Sequence, residues 1–160
     1  MKDAPESWAI VVSIVALALS GMATWLTLRH SSRSQRLATF ERIHEALIDP
    51  KAAGGRKLLY QAAKSGNFPV LGDEDWDQVN YALALYDTLG SYLSLRLVDR
   101  DVVTAAWYHP VIDIAGPVEQ FLAHRRSLGI NQPWTYLLDL ISLMRQTTCP
   151  CRVCRESRRG

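Results

Sequence analysis

Twenty-one residues without a charge, Trp8 to Leu28, stand between Lys2, Asp3 and Glu6 on one side and Arg29 on the other. A helix rises about 1.5 Å per residue, so about 20 apolar residues cross the roughly 30 Å hydrocarbon core of a bilayer. The sequence therefore predicts a transmembrane helix over 8–28, with residues 1–7 on the far side and a tethered domain from residue 29 onward.

The flanks set the expected orientation. Arg29, Arg33, Arg36 and Arg42, opposed only by Glu41, leave a net +3 just past the helix, whereas residues 1–7 carry one Lys against two acids. Basic residues stay on the cytoplasmic side, which puts the N-terminus out and the domain in the cytoplasm, at the plasma (inner) membrane. Trp8 and Trp25 lie near the two ends, where indole rings favour the headgroup layer. These two rings, with Arg29, Arg33 and Arg36, form the expected anchor. A cleaved secretory signal, with Ala18 and Ser20 as the small residues before the cut, is the competing reading and would place the domain outside. It lacks the basic n-region and short apolar stretch of such signals.

The 160 residues leave room for one compact domain after the anchor. Net charge is +2, with an acidic body between a basic juxtamembrane stretch and a basic end. That distribution suits anionic headgroups better than a nucleic-acid groove, so the expected partners are the bilayer and either a protein or a second copy of the chain, without nucleic acid.

The rest reads as helices. Gln35 to Ile48 has Leu37, Phe40, His44 and Leu47 at helical spacing and ends at Asp49-Pro50. Pro50 opens a second helix that stops before Gly66-Asn67-Phe68-Pro69. Asp73, Glu74 and Asp75 supply a negative first turn for a third, about Asp75 to Leu97, whose seam Trp76, Val79, Leu83, Tyr86, Gly90, Leu93 and Leu97 is widened by Leu85, Leu89 and Tyr92. Such breadth predicts packing on two neighbours. A fourth helix, Val102 to Leu128, carries Val103, Trp107, Ile114, Val118, Phe121 and Leu122 on one side. His109-Pro110 and Gly116-Pro117 predict kinks in it. Gly129 closes it, Asn131 caps the next helix, Pro133 sits early in it, and Trp134, Leu137, Leu138, Ile141 and Met144 give a fifth apolar face. No segment alternates long enough to argue a strand. The predicted class is all-α, a transmembrane helix followed by a compact four- to five-helix bundle over 29–148 and a Cys- and Arg-rich flexible tail over 149–160.

Gly55-Arg-Lys-Leu-Leu-Tyr60, Tyr81 to Leu93 with Asp87 and Gly90, Val98 to Trp107, Arg125-Arg126 and Trp134, following a single membrane helix, resemble the DUF4760 family of bacterial and phage proteins. The resemblance covers about Gln35 to Met144 and leaves out the Cys-rich tail. It implies a membrane-anchored helical architecture and no activity.

Asp87 falls beside the apolar seam, where a carboxylate needs a partner; Arg56, Arg125 or Arg126 could supply one. A register-fixing ion pair is the structural reading of that set, and a substrate-binding carboxylate the functional one. Asp99 and Asp101 read as helix-capping residues, His109 as a kink residue and His44 as a packed imidazole. Gly54-Gly55-Arg56-Lys57 lacks the spacing and preceding strand of a phosphate loop. No nucleophile elbow, His-Glu-x-x-His or basic-aromatic run is present.

Cys149, Cys151 and Cys154 are the only cysteines, and Cys151 to Cys154 has the spacer of a zinc knuckle. A closed zinc site needs a fourth ligand, for which His124, His44 or a second chain are the candidates. The sequence thus supports a single-pass membrane-anchored interaction or scaffold module without a catalytic residue set; the alternative is a small membrane-bound enzyme or ligand sensor using the Asp/Arg set.

Overall fold

A computed structural model of the chain describes residues 4–66, 68, 72–130, 134–151 and 154. It has five helices, α1 (Ala4–Ile48), α2 (Pro50–Ser65), α3 (Asp73–Ser94), α4 (Arg100–Ser127) and α5 (Thr135–Gln146), and among the described residues there is no strand. The chain divides into two units, Met1–Ala38 and Thr39–Gly160. The compact unit thus begins ten residues later than the sequence predicts, because the apolar stretch and its basic flank belong to one helix. The expected cap at Asn131, the early helical Pro133, Asn67 and Pro69 of the Gly66-to-Pro69 turn, and the tail arginines lie outside the described residues.

The first unit is helix α1 up to Ala38. It is long and apolar enough to cross a membrane: its most apolar stretch has a mean hydropathy of 2.0 and none of it is buried against protein. Its hydroxyls are satisfied locally, Thr24 Oγ1 donating to the Ser20 carbonyl and Thr27 Oγ1 to that of Ala23, both at 2.9 Å. Such back-bonding lets polar residues sit in an apolar medium. The Arg29 guanidinium lies over the Trp25 ring, 5.3 Å from its centroid, and Trp8, Arg33 and Arg36 are exposed.

In the second unit α3 is the central helix, packed on α2 and on α5, while α4 packs on both of those as well. Val79, Leu83, Tyr86, Leu89 and Gly90 of its seam are buried; Trp76 and Leu93 are partly buried. Leu97 is not part of the seam. The helix ends at Ser94 because Arg96 takes a left-handed φ of 58° and two bonds close the end, Arg96 N–H to the Leu93 carbonyl and Leu97 N–H to that of Tyr92. Gly129, at φ 75°, closes α4 in the same way.

Both neighbours approach α3 at glycine. A Cβ on Gly55 would strike the Gln78 backbone, and one on Gly90 would strike the Tyr136 carbonyl. At the other helix ends, Asp49 caps α2 by accepting from Lys51 N–H at 2.8 Å, with Pro50 in the first turn. Helix α4 runs on through Pro110 and Pro117. The core is filled by Leu47, Leu59, Val103, Val111, Ile114, Val118, Phe121, Leu137, Leu140 and Met144. Two sequence assignments are corrected: Leu37 and Leu138 are exposed, and Ile43 and Leu140 take the buried places instead.

Aromatic rings pin the ends of the two longer connections. Phe121 packs on Trp76 at 4.8 Å and stacks with Trp134 at 6.1 Å, and His124 stacks on Phe68 and Trp76. Tyr86 is fully buried, and burial pushes its hydroxyl up to about 12 despite the Arg56 guanidinium nearby, which acts in the opposite direction.

Two outcomes follow from this packing. Gly90→Ala loses on the order of 1–3 kcal/mol by denaturant unfolding, since the added methyl meets backbone that cannot yield. Because the folded Tyr86 pKa is raised, the stability this residue contributes is full below pH 10 and is lost as pH climbs towards 12. A pH titration of the melting temperature shows this loss in the native chain and a shallower one in Tyr86→Phe.

Candidate metal centre

Helix α5 returns alongside α4 from the turn at Gly129. Trp134 meets Phe121, and Arg145 pairs with Glu119 at 2.7 Å. Beyond α5, Thr147 Oγ1 accepts from Arg100 Nη2 at 3.3 Å, and the chain then lies against α4 at His109. Here the Sγ atoms of Cys149, Cys151 and Cys154 and a ring nitrogen of His109 lie within 4.8 Å of one another. These four residues could hold a metal ion.

The geometry fits one ion. Cys149 Sγ is 3.1 Å from Cys151 Sγ, and His109 Nε2 is 3.3, 3.4 and 3.9 Å from the sulfurs of Cys149, Cys151 and Cys154. Metal–sulfur bonds of about 2.3 Å and a metal–nitrogen bond of about 2.0 Å define a tetrahedron with edges of roughly 3.5–3.8 Å. The Cys154 N–H donates to Cys151 Sγ at 3.3 Å. Tyr108 packs edge-on to the His109 ring at 5.2 Å. Cys149 is buried, Cys151 and Cys154 are partly exposed, and His109 is exposed.

Without a metal the Cys151 and Cys154 thiols are shifted in opposite directions. Cys151 is drawn down to about 6, first by its hydrogen bond with His109, then by the Cys154 N–H and the other thiols. Cys154 is pushed up to about 12, chiefly by its bond with Cys151 and then by Cys149. Binding of a cation here would require the remaining thiols to lose their protons.

This corrects the reading of both His109 and the tail. His109 is not merely the residue before a proline, and the first residues of the tail are not free of the fold. The fourth ligand is neither His44, which packs on Trp107, nor His124, which stacks on Phe68. A positional signal was there. Cys149 lies twenty residues after Gly129 and His109 twenty before, so an antiparallel hairpin about that glycine brings the two together.

The Asp/Arg set is brought together far less. Asp87 Oδ1 accepts from the Leu137 N–H at 2.9 Å and so caps the first turn of α5 from across the interface. Arg56 Nη1 donates to the Leu47 carbonyl at 2.6 Å, at the end of α1. Arg125 Nη1 donates to Asn80 Oδ1 at 2.6 Å and its guanidinium lies over Trp134 at 5.1 Å; burial lowers its pKa. Arg126 Nε donates to the Leu122 carbonyl of its own helix, on the surface. Three of these bonds tie one helix to another, at separate places, while the fourth stays within α4, so the four side chains do not converge. Asp99 stands at the N-cap of α4, with Asp101 in its first turn.

No protein family, curated protein or solved structure matches the chain.

Asp87→Ala frees the Leu137 N–H and loses about 1 kcal/mol, with faster amide exchange confined to the start of α5; Asp87→Asn, which keeps an acceptor oxygen, loses less. Equal losses in the two variants, or exchange spread evenly over the domain, would contradict the cap.

Proposed function

We propose that the chain is a single-pass membrane-anchored helical module whose C-terminal segment is stapled to α4 by a zinc ion held by His109, Cys149, Cys151 and Cys154. The convergence of four ligand atoms from positions some 40 residues apart carries the zinc reading. Three thiolates and an imidazole suit Zn²⁺, and four protein ligands leave no open position, so the ion is structural rather than catalytic. Its charge of +2 is offset by three thiolates, which leaves the site at net −1.

The anchor reading rests on the exposed apolar part of α1 followed by Arg29, Arg33 and Arg36. Positive residues past the helix favour a cytoplasmic domain, with those arginines near anionic headgroups. The metal site supports the same side, since zinc–thiolate chemistry belongs to a reducing compartment and the secretory-signal alternative would expose three thiols to oxidation. In this reading the helical body, which resembles the DUF4760 domain, serves as an interaction or scaffold surface for another protein or a second copy. The enzyme or sensor alternative draws no support from the dispersed placement of Asp87, Arg56, Arg125 and Arg126.

Two experiments test the reading. Native mass spectrometry of the full-length protein released gently from membranes finds one zinc per chain. Chelation then lowers the melting temperature, by about 2.7 kcal/mol of stability when free zinc had stood at 100 times its Kd. His109→Ala begins at the lowered value and does not respond to the chelator. A reporter fused after Gly160 is active in the cytoplasm; activity outside would overturn the topology and leave the metal site to be judged on its own.

A further inference from the structure

Zinc held in a protein core offers no sulfur to solvent. Here the ion would have Cys149 on its inner side, 6% exposed, and the partly exposed Cys151 and Cys154 on its outer side. The three cysteines lie beyond α5, and His109 is the one ligand carried by a helix, α4. Resting on the zinc reading above, we propose that the site is a peroxide-opened clasp: oxidation of Cys151 and Cys154 to a disulfide expels the zinc and detaches the C-terminal segment from α4.

The chemistry balances with hydrogen peroxide as the two-electron oxidant. The Cys151 thiolate attacks one peroxide oxygen, giving a sulfenic acid and hydroxide. The Cys154 thiolate then attacks the sulfenic sulfur, forming the S–S bond and releasing a second hydroxide. The ion loses two of its four donors and leaves, Cys149 takes up a proton, and the His109 imidazole is freed. Cys151 and Cys154 form the disulfide because they are held close, the Cys154 N–H donating to the Cys151 sulfur at 3.3 Å, and have the two-residue spacing of a redox dithiol. Cys149 and Cys151, one residue apart, would close too small a ring for relaxed disulfide geometry. A dithiol reverses the reaction, and zinc then closes the clasp again.

The test uses the full-length, zinc-loaded protein in detergent, titrated with hydrogen peroxide in the presence of a chromogenic zinc chelator. About one zinc appears per peroxide consumed, peptide mapping finds a Cys151–Cys154 disulfide, and dithiothreitol with added zinc restores the starting state. Cys154→His keeps four donors but removes the resolving thiol, and releases zinc at least tenfold more slowly. Zinc retained through a tenfold excess of peroxide, equal release from this variant, or a disulfide elsewhere would overturn the clasp while leaving the zinc reading intact. A chain that holds no zinc even after reconstitution would remove the zinc reading, and the clasp with it.

Discussion

Helix α3 is buried on two sides, and the remaining helices of the compact unit take their places from that demand. A helix with so broad an apolar seam cannot rest against water on either flank, so α2 and α5 must both cover it. Close approach is possible where glycine removes the side chain, at Gly55 of α2 and Gly90 of α3. Once α5 is fixed against α3, its direction beside α4 is fixed too, and the chain leaving α5 is carried to His109.

Packing of that kind leaves helix ends facing protein instead of water, and the polar residues of the core interface answer them. Asp87 satisfies an amide at the start of α5 and Arg56 a carbonyl at the end of α1, while Arg125 reaches Asn80 on α3 and lies over two aromatic rings. Each charge is thereby spent on a backbone group or an amide of a different element. A single Asp/Arg site would have required these side chains to converge, and the helix termini they serve are too widely spread for that.

Much of the fold was legible because it depends on helical periodicity and on punctuation. Pro50, Gly66 and Gly129 mark ends that the structure confirms, and the seam of α3 predicts its two-sided burial. The misplaced end at Leu97 arises from Arg96, a residue whose identity gives no hint of a left-handed backbone. Leu140 takes the place expected for Leu138 because it falls three residues after Leu137 and four before Met144, on the face these share with Ile141, whereas Leu138 lies at the edge of that face. The metal centre was half legible: three cysteines announce themselves in sequence, whereas His109 is identified only when α4 and α5 are folded about Gly129. Asp87 stands out in the sequence by its place beside the apolar seam, but its partner is a backbone amide, which sequence pattern does not display.

The candidate metal centre links these levels, since the helix packing that covers α3 also brings His109 to the cysteines. Zinc K-edge X-ray absorption on the purified full-length chain tests this most directly. The account predicts one zinc per chain with three sulfurs at about 2.3 Å and one imidazole nitrogen at about 2.0 Å. A first shell of oxygens, or of sulfur without nitrogen, would show that His109 and the three cysteines do not act as one site.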